Sequence, residues 1–355
     1  MKVNIILPFF SRLPGGGIKI MYTIANLLVE KGYEVKIYHN LGTEYTYPSN
    51  RPFIVRKFLA SFFHGKNPKP KWFQLDSKIK SVYIDKITDN SIDDGDFILY
   101  TWWALGFDIQ KLHSSKGEKF NLIQGYEVWN GYESLVHESY SLSPIKNICI
   151  SHYLKNLVSV YSETEVEQID LSVDSKNFFL KNKIEDRFDA SIVMLYSNLD
   201  HIKGTNFALS AFEKLKTDIP YLQVTLFGVS KDRKRIPDWM NYYYNPTNLT
   251  DIYNNHAIFV SPSLTEGWAL PPVEAMTCGC TFVGTNIPGH ESYLQSECSI
   301  SVPPKDSDAI YKAVKLLVED HFLRVRIAKN GLEFTKRFTW ENTMAQIESV
   351  FSKYN

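Results

Sequence analysis

The chain has 355 residues, enough for about two domains of ordinary size. It is 44% hydrophobic and 22% charged, as soluble globular proteins are, and Lys plus Arg equals Asp plus Glu at 39 each, which argues against whole-surface nucleic-acid binding. Aromatic content is 14%, with 21 Tyr and 22 Phe; such residues suit cores or, where exposed, sugar stacking and membrane interfaces.

Taken in chain order, residues 3–7 read as a buried strand. Asn4 and Pro8 interrupt the apolar start and no small-residue cleavage site follows, so it does not read as a signal peptide. Residues 18–31 carry Met21, Ile24, Ala25 and Leu28 at helical spacing, and Gly32 ends that helix. The next strand is expected at 34–38, and further apolar runs stand at 97–101, 121–124 and 148–151. A charge-dense stretch covers 181–189. Alternation then restarts with a strand at 191–196, a helix at 205–215, and strands at 222–227, 257–261 and 281–284. Residues 307–355 read as helical, broken by charged turns. No run approaches about 18 apolar residues, so no membrane-spanning helix is expected. Cys149, Cys278, Cys280 and Cys298 read as buried thiols, because Cys278-Gly-Cys280 is not a metal-binding spacing and no His cluster accompanies it. Neither a metal nor another cofactor is expected, and the chain is placed in the cytoplasm.

Short apolar runs alternating with helical patterns imply an α/β fold with parallel sheets. Two such series imply two doubly wound, Rossmann-like domains facing each other across a cleft, with a helical C-terminal tail. The expected division is 1–182, 183–335, and a final helix at 336–355 packing back toward the first domain. In such sheets ligands bind beyond the carboxyl ends of the strands, so the residues just after each strand carry the function.

The most informative segment is residues 261–279, SPSLTEGWALPPVEAMTCG. Glu266 follows a strand, and seven residues separate it from Glu274. Pro271 and Pro272 suit a helix's first turn, which sets Glu274 near its positive end. Carboxylates there repel a phosphate unless they engage hydroxyls, which both can do as acceptors from a sugar or ribose.

This segment resembles the paired-glutamate motif of the family 4 glycosyltransferases, retaining enzymes of the GT-B fold, and the match extends to the SPS, EG, LPP and EAM elements around it. The resemblance implies that Glu274 binds the nucleotide's ribose and Glu266 the donor sugar, with Gly267, Trp268, Ala269 and Leu270 at the sugar and diphosphate. Residues 196–215, YSNLDHIKGTNFALSAFEKL, are a second match. Lys203-Gly204 precedes an amphipathic helix there, and the family's equivalent Lys binds diphosphate. The family's usual Arg a few residues earlier is absent, replaced by Ser197-Asn198. The basic run Lys231-Asp232-Arg233-Lys234-Arg235 is either a substitute or a solvated loop. A third match is Pro14-Gly15-Gly16-Gly17, where Gly16 and Gly17 either approach the donor phosphate or acceptor, or form a bare turn. The fourth is residues 121–131, NLIQGYEVWNG, where many members have a His that contacts donor sugar. Gln124, Tyr126 and Glu127 stand there instead, in a sequence similar to a bacterial rhamnosyltransferase-like subgroup. Glu127 is either an acceptor-hydroxyl base or a structural carboxylate. With Trp102 and Trp103, Gln124 and Tyr126 form the expected acceptor side.

The resemblance thus implies a retaining glycosyltransferase of bacterial surface polysaccharide or glycoconjugate synthesis. It takes a nucleoside diphosphate sugar as donor and a glycan as acceptor, with Glu266, Lys203 and Glu127 as its catalytic set. A non-catalytic GT-B partner subunit of another transferase is the alternative. A dinucleotide-dependent oxidoreductase needs a third glycine where Ile20 stands and an acid where Tyr38-His39-Asn40 stands, and has neither. Residues 51–73 are basic and aromatic without an acid: Arg51, Arg56, Lys57, Lys66, Lys69 and Lys71 interleave with Phe53, Phe58, Phe62, Phe63, Trp72 and Phe73. Val55, Phe58, Leu59 and Phe62 share one helical face. That surface either rests on anionic lipid at the inner face of the plasma membrane, which would favour a lipid-linked acceptor, or is simply core.

Overall fold

The computed structural model describes residues 1–42, 67–128 and 131–354, together with Val55 and Phe58. The chain divides into two compact units, Met1–Asp170 with Glu341–Asn355, and Leu171–Trp340.

The N-terminal unit is built on a parallel sheet of seven strands: β1 (Lys2–Leu7), β2 (Glu34–Asn40), β3 (Lys80–Ile84), β4 (Phe97–Tyr100), β5 (Glu118–Ile123), β6 (Lys146–Cys149) and β7 (Glu167–Gln168). Their order is β3-β2-β1-β4-β5-β6-β7, so the chain reverses its direction of winding between β1 and β4. All four residues of β4, FILY, are buried, the continuous apolar pattern that a parallel strand covered on both faces requires. Helix α1 (Gly16–Glu30) follows β1 and turns Ile18, Met21, Ile24, Ala25 and Leu28 inward. The helices α2 (Gly106–Ile109), α3 (Glu133–Ser139) and α4 (His152–Ser159) follow β4, β5 and β6.

The C-terminal unit holds a second parallel sheet: β8 (Ser191–Leu195), β9 (Gln223–Gly228), β10 (Asn241–Tyr244), β11 (Ile258–Ser261), β12 (Thr281–Thr285) and β13 (Ser299–Val302), ordered β10-β9-β8-β11-β12-β13. Its helices are α5 (Asp200–Lys203), α6 (Thr205–Asp218), α7 (Leu249–Asn254), α8 (Leu270–Thr277), α9 (Ser307–Glu319) and α10 (His321–Thr335). Here too the order reverses between β8 and β11.

The last helix, α11 (Trp340–Lys353), belongs to the N-terminal unit from Glu341 onward. Phe351 stacks on Phe97 at 4.3 Å between ring centroids and lies 5.1 Å from Phe120, so it fills a gap over β4 and β5. Thr343 Oγ1 donates to the Asp170 carbonyl (2.7 Å), and Lys353 pairs with Glu167 (2.6 Å). The division falls at Asp170 rather than at residue 182. Residues 171–182 join the C-terminal unit because the Lys181 and Asn182 N–H groups donate to Asn254 Oδ1 (2.6 and 3.2 Å). Residues 336–340 join it through Phe338, whose ring meets Trp268 edge-on at 5.6 Å.

Of the basic aromatic stretch 51–73, Arg51, Phe53, Arg56, Lys57, Leu59, Phe62, Phe63 and Lys66 lie outside the described residues. Trp72 and Phe73 are packing residues: both rings rest on Tyr22 (5.8 and 5.5 Å), and Trp72 Nε1 donates to the Ser11 carbonyl (3.0 Å). Among the described residues no helix is long and apolar enough to cross a membrane, and all four cysteines are buried free thiols.

Candidate active site

In the C-terminal unit the sequence-predicted residues gather beyond β8 and β11, neighbours in the sheet. Past β8 the chain makes the single turn α5 and reverses at Gly204, whose φ of +58° is left-handed, before entering α6. A Cβ on Gly204 would lie 2.2 Å from the Pro262 carbonyl oxygen, so glycine is required both for conformation and for space. The Leu264 N–H donates to the Ile202 carbonyl (2.7 Å) and so stitches the 262–266 loop to α5. That seam brings Lys203 Nζ to 2.6 Å from Glu266 Oε1, and Ser263 Oγ donates to the same oxygen (2.7 Å). The pair lines a cavity of about 20 Å³ with Ser261, Ser263, Ala269 and Pro271. Ser263 is the C-terminal serine of the SPS element, and its bond to Glu266 gives that element a role.

The stretch 267–270 is arranged differently from the expectation. Trp268 packs inside the unit: it is buried edge-on against Tyr293 (5.3 Å), and its Nε1 donates to Ser292 Oγ (2.8 Å). The Ala269 N–H is already given to the Tyr293 hydroxyl (3.2 Å). Pro271 and Pro272 have no N–H at all, so the start of α8 offers fewer donors to an anion than a helix start usually does. Gly267 and Leu270 are likewise buried.

Glu274 lies one turn into α8 and is buried, with Tyr253 Oη 3.4 Å from Oε2. Burial, and then the Glu274 charge, holds the Tyr253 hydroxyl far above its ordinary pKa. No sequence signal marks Tyr253, which comes from α7, or His290, another buried neighbour. His290 Nδ1 faces the Thr285 carbonyl (2.9 Å) and must therefore carry its proton there; burial lowers its pKa, and the Glu266 charge opposes that shift. Where the family has an Arg, Asn198 accepts from Arg235 Nη2 (3.1 Å), while Nη1 donates to Asn206 Oδ1 (2.7 Å) and pairs with Asp200. The basic run is thus anchored at Arg235 to the turn that carries Lys203.

In the N-terminal unit the loops after β1, β4 and β5 meet because the three strands are adjacent. Gln124 Nε2 donates to the Gly17 carbonyl (3.2 Å) and to Thr101 Oγ1 (3.1 Å). A Cβ on Gly17 would stand 3.3 Å from Gln124 Oε1, whereas one on Gly16, the first residue of α1, would meet nothing within 4 Å. Trp102 has φ +85° and ψ +113°, a strained conformation for a residue with a side chain. Trp103 is buried next to Phe107 and Tyr132 (6.3 and 5.9 Å). Glu127 is half-buried; its carboxyl accepts the Trp103 backbone N–H, and burial pushes its pKa up to about 8. Tyr126 is engaged elsewhere: its hydroxyl donates to Glu133 Oε1 (3.1 Å) and lies 2.8 Å from His137 Nε2, and His137 stacks on Tyr161 at 3.8 Å. Among the described residues no group of three or more His, Cys, Asp or Glu side chains is placed to hold a metal ion.

Residues 177–334 match the family model of the glycosyl transferases group 1. The chain is 32% identical over 115 residues to the O-antigen chain mannosyltransferase B of Escherichia coli, a match covering 32% of this chain and 30% of that protein, so the aligned stretch spans less than a third of that relative. It is 20% identical over 273 residues to the capsular polysaccharide biosynthesis glycosyltransferase CapM of Staphylococcus aureus, covering 69% of this chain and 70% of that one. Among solved structures, the sucrose-phosphate synthase of Thermosynechococcus elongatus superposes with a TM-score of 0.74 at 14% identity over 99% of both chains. HepE of Anabaena, solved in complex with UDP, gives 0.74 at 13% identity over 99% of this chain and 100% of that one. Two Rossmann-like parallel sheets and the whole-length likeness to these structures lead to one conclusion: the chain has the GT-B fold, and its C-terminal unit carries the match to the glycosyl transferases group 1.

Proposed function

We propose that the chain is a retaining glycosyltransferase. It moves a sugar from a nucleoside diphosphate to a glycan hydroxyl in the synthesis of a bacterial surface polysaccharide. The observation that carries this reading is the Lys203–Glu266 ion pair, set beyond two adjacent parallel strands inside the family-matched region. Glu266 offers carboxylate oxygens to donor-sugar hydroxyls, and Lys203 offers a cation to the diphosphate as it leaves. The bond from the anomeric carbon to the diphosphate oxygen breaks as the acceptor oxygen bonds to that carbon, and the acceptor's proton passes to the departing diphosphate. Glu274 serves as ribose ligand once nucleotide binding opens its contact with Tyr253. The relatives, an O-antigen chain mannosyltransferase and a capsular polysaccharide biosynthesis glycosyltransferase, support a polysaccharide acceptor.

A thermal-shift screen against UDP-, GDP-, dTDP- and CDP-sugars tests the donor class, because a ligand that binds only the folded state raises its melting temperature. One donor should stabilise the chain, and none doing so removes the reading. Contact of residues 51–73 with the inner membrane face, which would make a lipid-linked acceptor accessible, is part of the same proposal. Co-sedimentation with anionic vesicles, lost on reversing the charges of Arg56 and Lys57, is the expected result.

A further inference from the structure

A carboxylate stands close to the cation that the proposed function assigns to a diphosphate. Asp200 opens the single turn α5 that ends in Lys203. Its side chain reaches the start of α6, where Oδ1 accepts the Asn206 N–H (3.3 Å) and Oδ2 accepts from Asn206 Nδ2 (3.1 Å). Gly204, the residue that caps α6, has no side chain to offer, so Asp200 supplies the missing acceptor. The same negative charge repels a phosphate brought to Lys203. Three residues from Lys203 on one helical turn, it is also a rival to Glu266 for the ammonium.

Arg235 answers that charge. Its Nη1 pairs with Asp200 and donates to Asn206 Oδ1 (2.7 Å), and its Nη2 donates to Asn198 Oδ1 (3.1 Å). Asn198 Nδ2 donates in turn to Ser230 Oγ (2.7 Å), and the Tyr242 hydroxyl donates to the Ser230 carbonyl (2.7 Å). The turn after β8, residues 198–206, is thereby fastened to the loop after its neighbour β9, residues 230–235. Both charged side chains are about one-third exposed, and a guanidinium held by three acceptors has a fixed geometry that a lone surface ion pair lacks.

We propose that Arg235 is a positioning residue for the diphosphate site and not a ligand of it. By cancelling Asp200 and bracing the turn, it leaves Lys203 to Glu266 in the free protein and to a diphosphate in the complex. The inference rests on the transferase reading for its ligand, but the partner of Lys203 in the free protein can be measured without one. Calorimetry with UDP, GDP, dTDP and CDP is run on the full-length wild type, Arg235→Ala, Asp200→Asn and the double variant. For a nucleotide that the wild type binds, Arg235→Ala should cost about tenfold in affinity, Asp200→Asn should change little, and the double variant should recover to within about threefold of wild type. Rescue by removing the second charge is a result that a merely structural arginine would not give. The proposal is overturned if Arg235→Ala binds as wild type does. It is equally overturned if the double variant stays weak or Asp200→Asn binds more tightly than wild type, since an arginine that itself grips the diphosphate predicts both. Lysine side-chain NMR on the nucleotide-free proteins, with Lys203 assigned through Lys203→Arg, is the second readout. Its ammonium resonance should change in Arg235→Ala and return in the double variant, and an identical resonance in wild type and Arg235→Ala sinks the idea. Should the wild type bind no nucleoside diphosphate, the transferase reading falls and the Lys203 resonance still decides this inference.

Discussion

Lys203 Nζ lies 2.6 Å from Glu266 Oε1, and Ser263 Oγ donates to that same oxygen. Under the proposed function, the cation for the diphosphate and the carboxylate for the sugar are each other's partners in the free protein, and a bound donor would exchange one interaction for another. Glu266→Gln separates the two roles, because it frees Lys203 from an opposing charge. UDP or GDP alone should bind this variant at least as tightly as the wild type by calorimetry, while sugar transfer falls by roughly a hundredfold or more. Parallel loss of nucleotide affinity and transfer would show that Glu266 does not neutralise Lys203 in the working site.

Gly204→Ala should lower stability by about 1–3 kcal/mol or more. The substitution forces a Cβ onto a left-handed residue and sets it against the Pro262 carbonyl. Urea unfolding of the full chain measures this, and an unchanged midpoint would mean that the turn between α5 and α6 relaxes freely.

Arg187 is a buried guanidinium that clamps three segments. Its Nη1 donates to the His256 carbonyl (2.9 Å), and its Nη2 donates to the carbonyls of Asn182 (3.2 Å) and Cys278 (2.5 Å). Arg187→Leu leaves these acceptors unpaired in the interior, at about 1–3 kcal/mol for each that water cannot reach. We expect a loss of roughly 3 kcal/mol in denaturant unfolding, with β11 and β12 still formed by circular dichroism.

Glu127 gives stability a defined pH dependence. Its carboxyl is raised by burial to about 8 from an ordinary value of 4.5. The folded chain keeps a proton there that the unfolded chain releases near pH 4.5. This group's contribution therefore declines as pH rises from about 4.5 to about 8, and is level above that. The steepest decline is about 1.4 kcal/mol per pH unit. Glu127→Gln should remove this decline, so the difference in unfolding free energy between variant and wild type should grow in the variant's favour across that window. A pH-independent difference would place the carboxyl in water.

Much of the fold was legible because parallel strands announce themselves. The runs ending at Leu7, Tyr100 and Ser261 are buried from Val3, Phe97 and Ile258 onward and are mostly apolar. The strands that were not anticipated have reasons to be quiet. Strand β10 alternates exposed and half-buried tyrosines at the sheet's edge, and β3 begins with Lys80 and Ser81. The Lys203–Glu266 meeting could be guessed from motif spacing, but Tyr253 beneath Glu274 could not, since α7 reaches it only through tertiary packing. Trp268 sits inside the clearest motif and still turned out to be a packing residue. A motif fixes backbone path more firmly than it fixes where each side chain points. Gly17 and Gln124, 107 residues apart, met because β1, β4 and β5 are neighbours, an order that no local pattern encodes.

The central claim is that Lys203 holds the diphosphate of a nucleotide donor. Isothermal titration of UDP, GDP, dTDP and CDP into the wild-type chain and into Lys203→Ala tests it most directly. One nucleotide should bind the wild type and lose about 10- to 100-fold in affinity in the variant, the effect of removing a charge-assisted hydrogen bond. Equal affinity in the two proteins, or no binding of any nucleoside diphosphate to the wild type, would contradict the account.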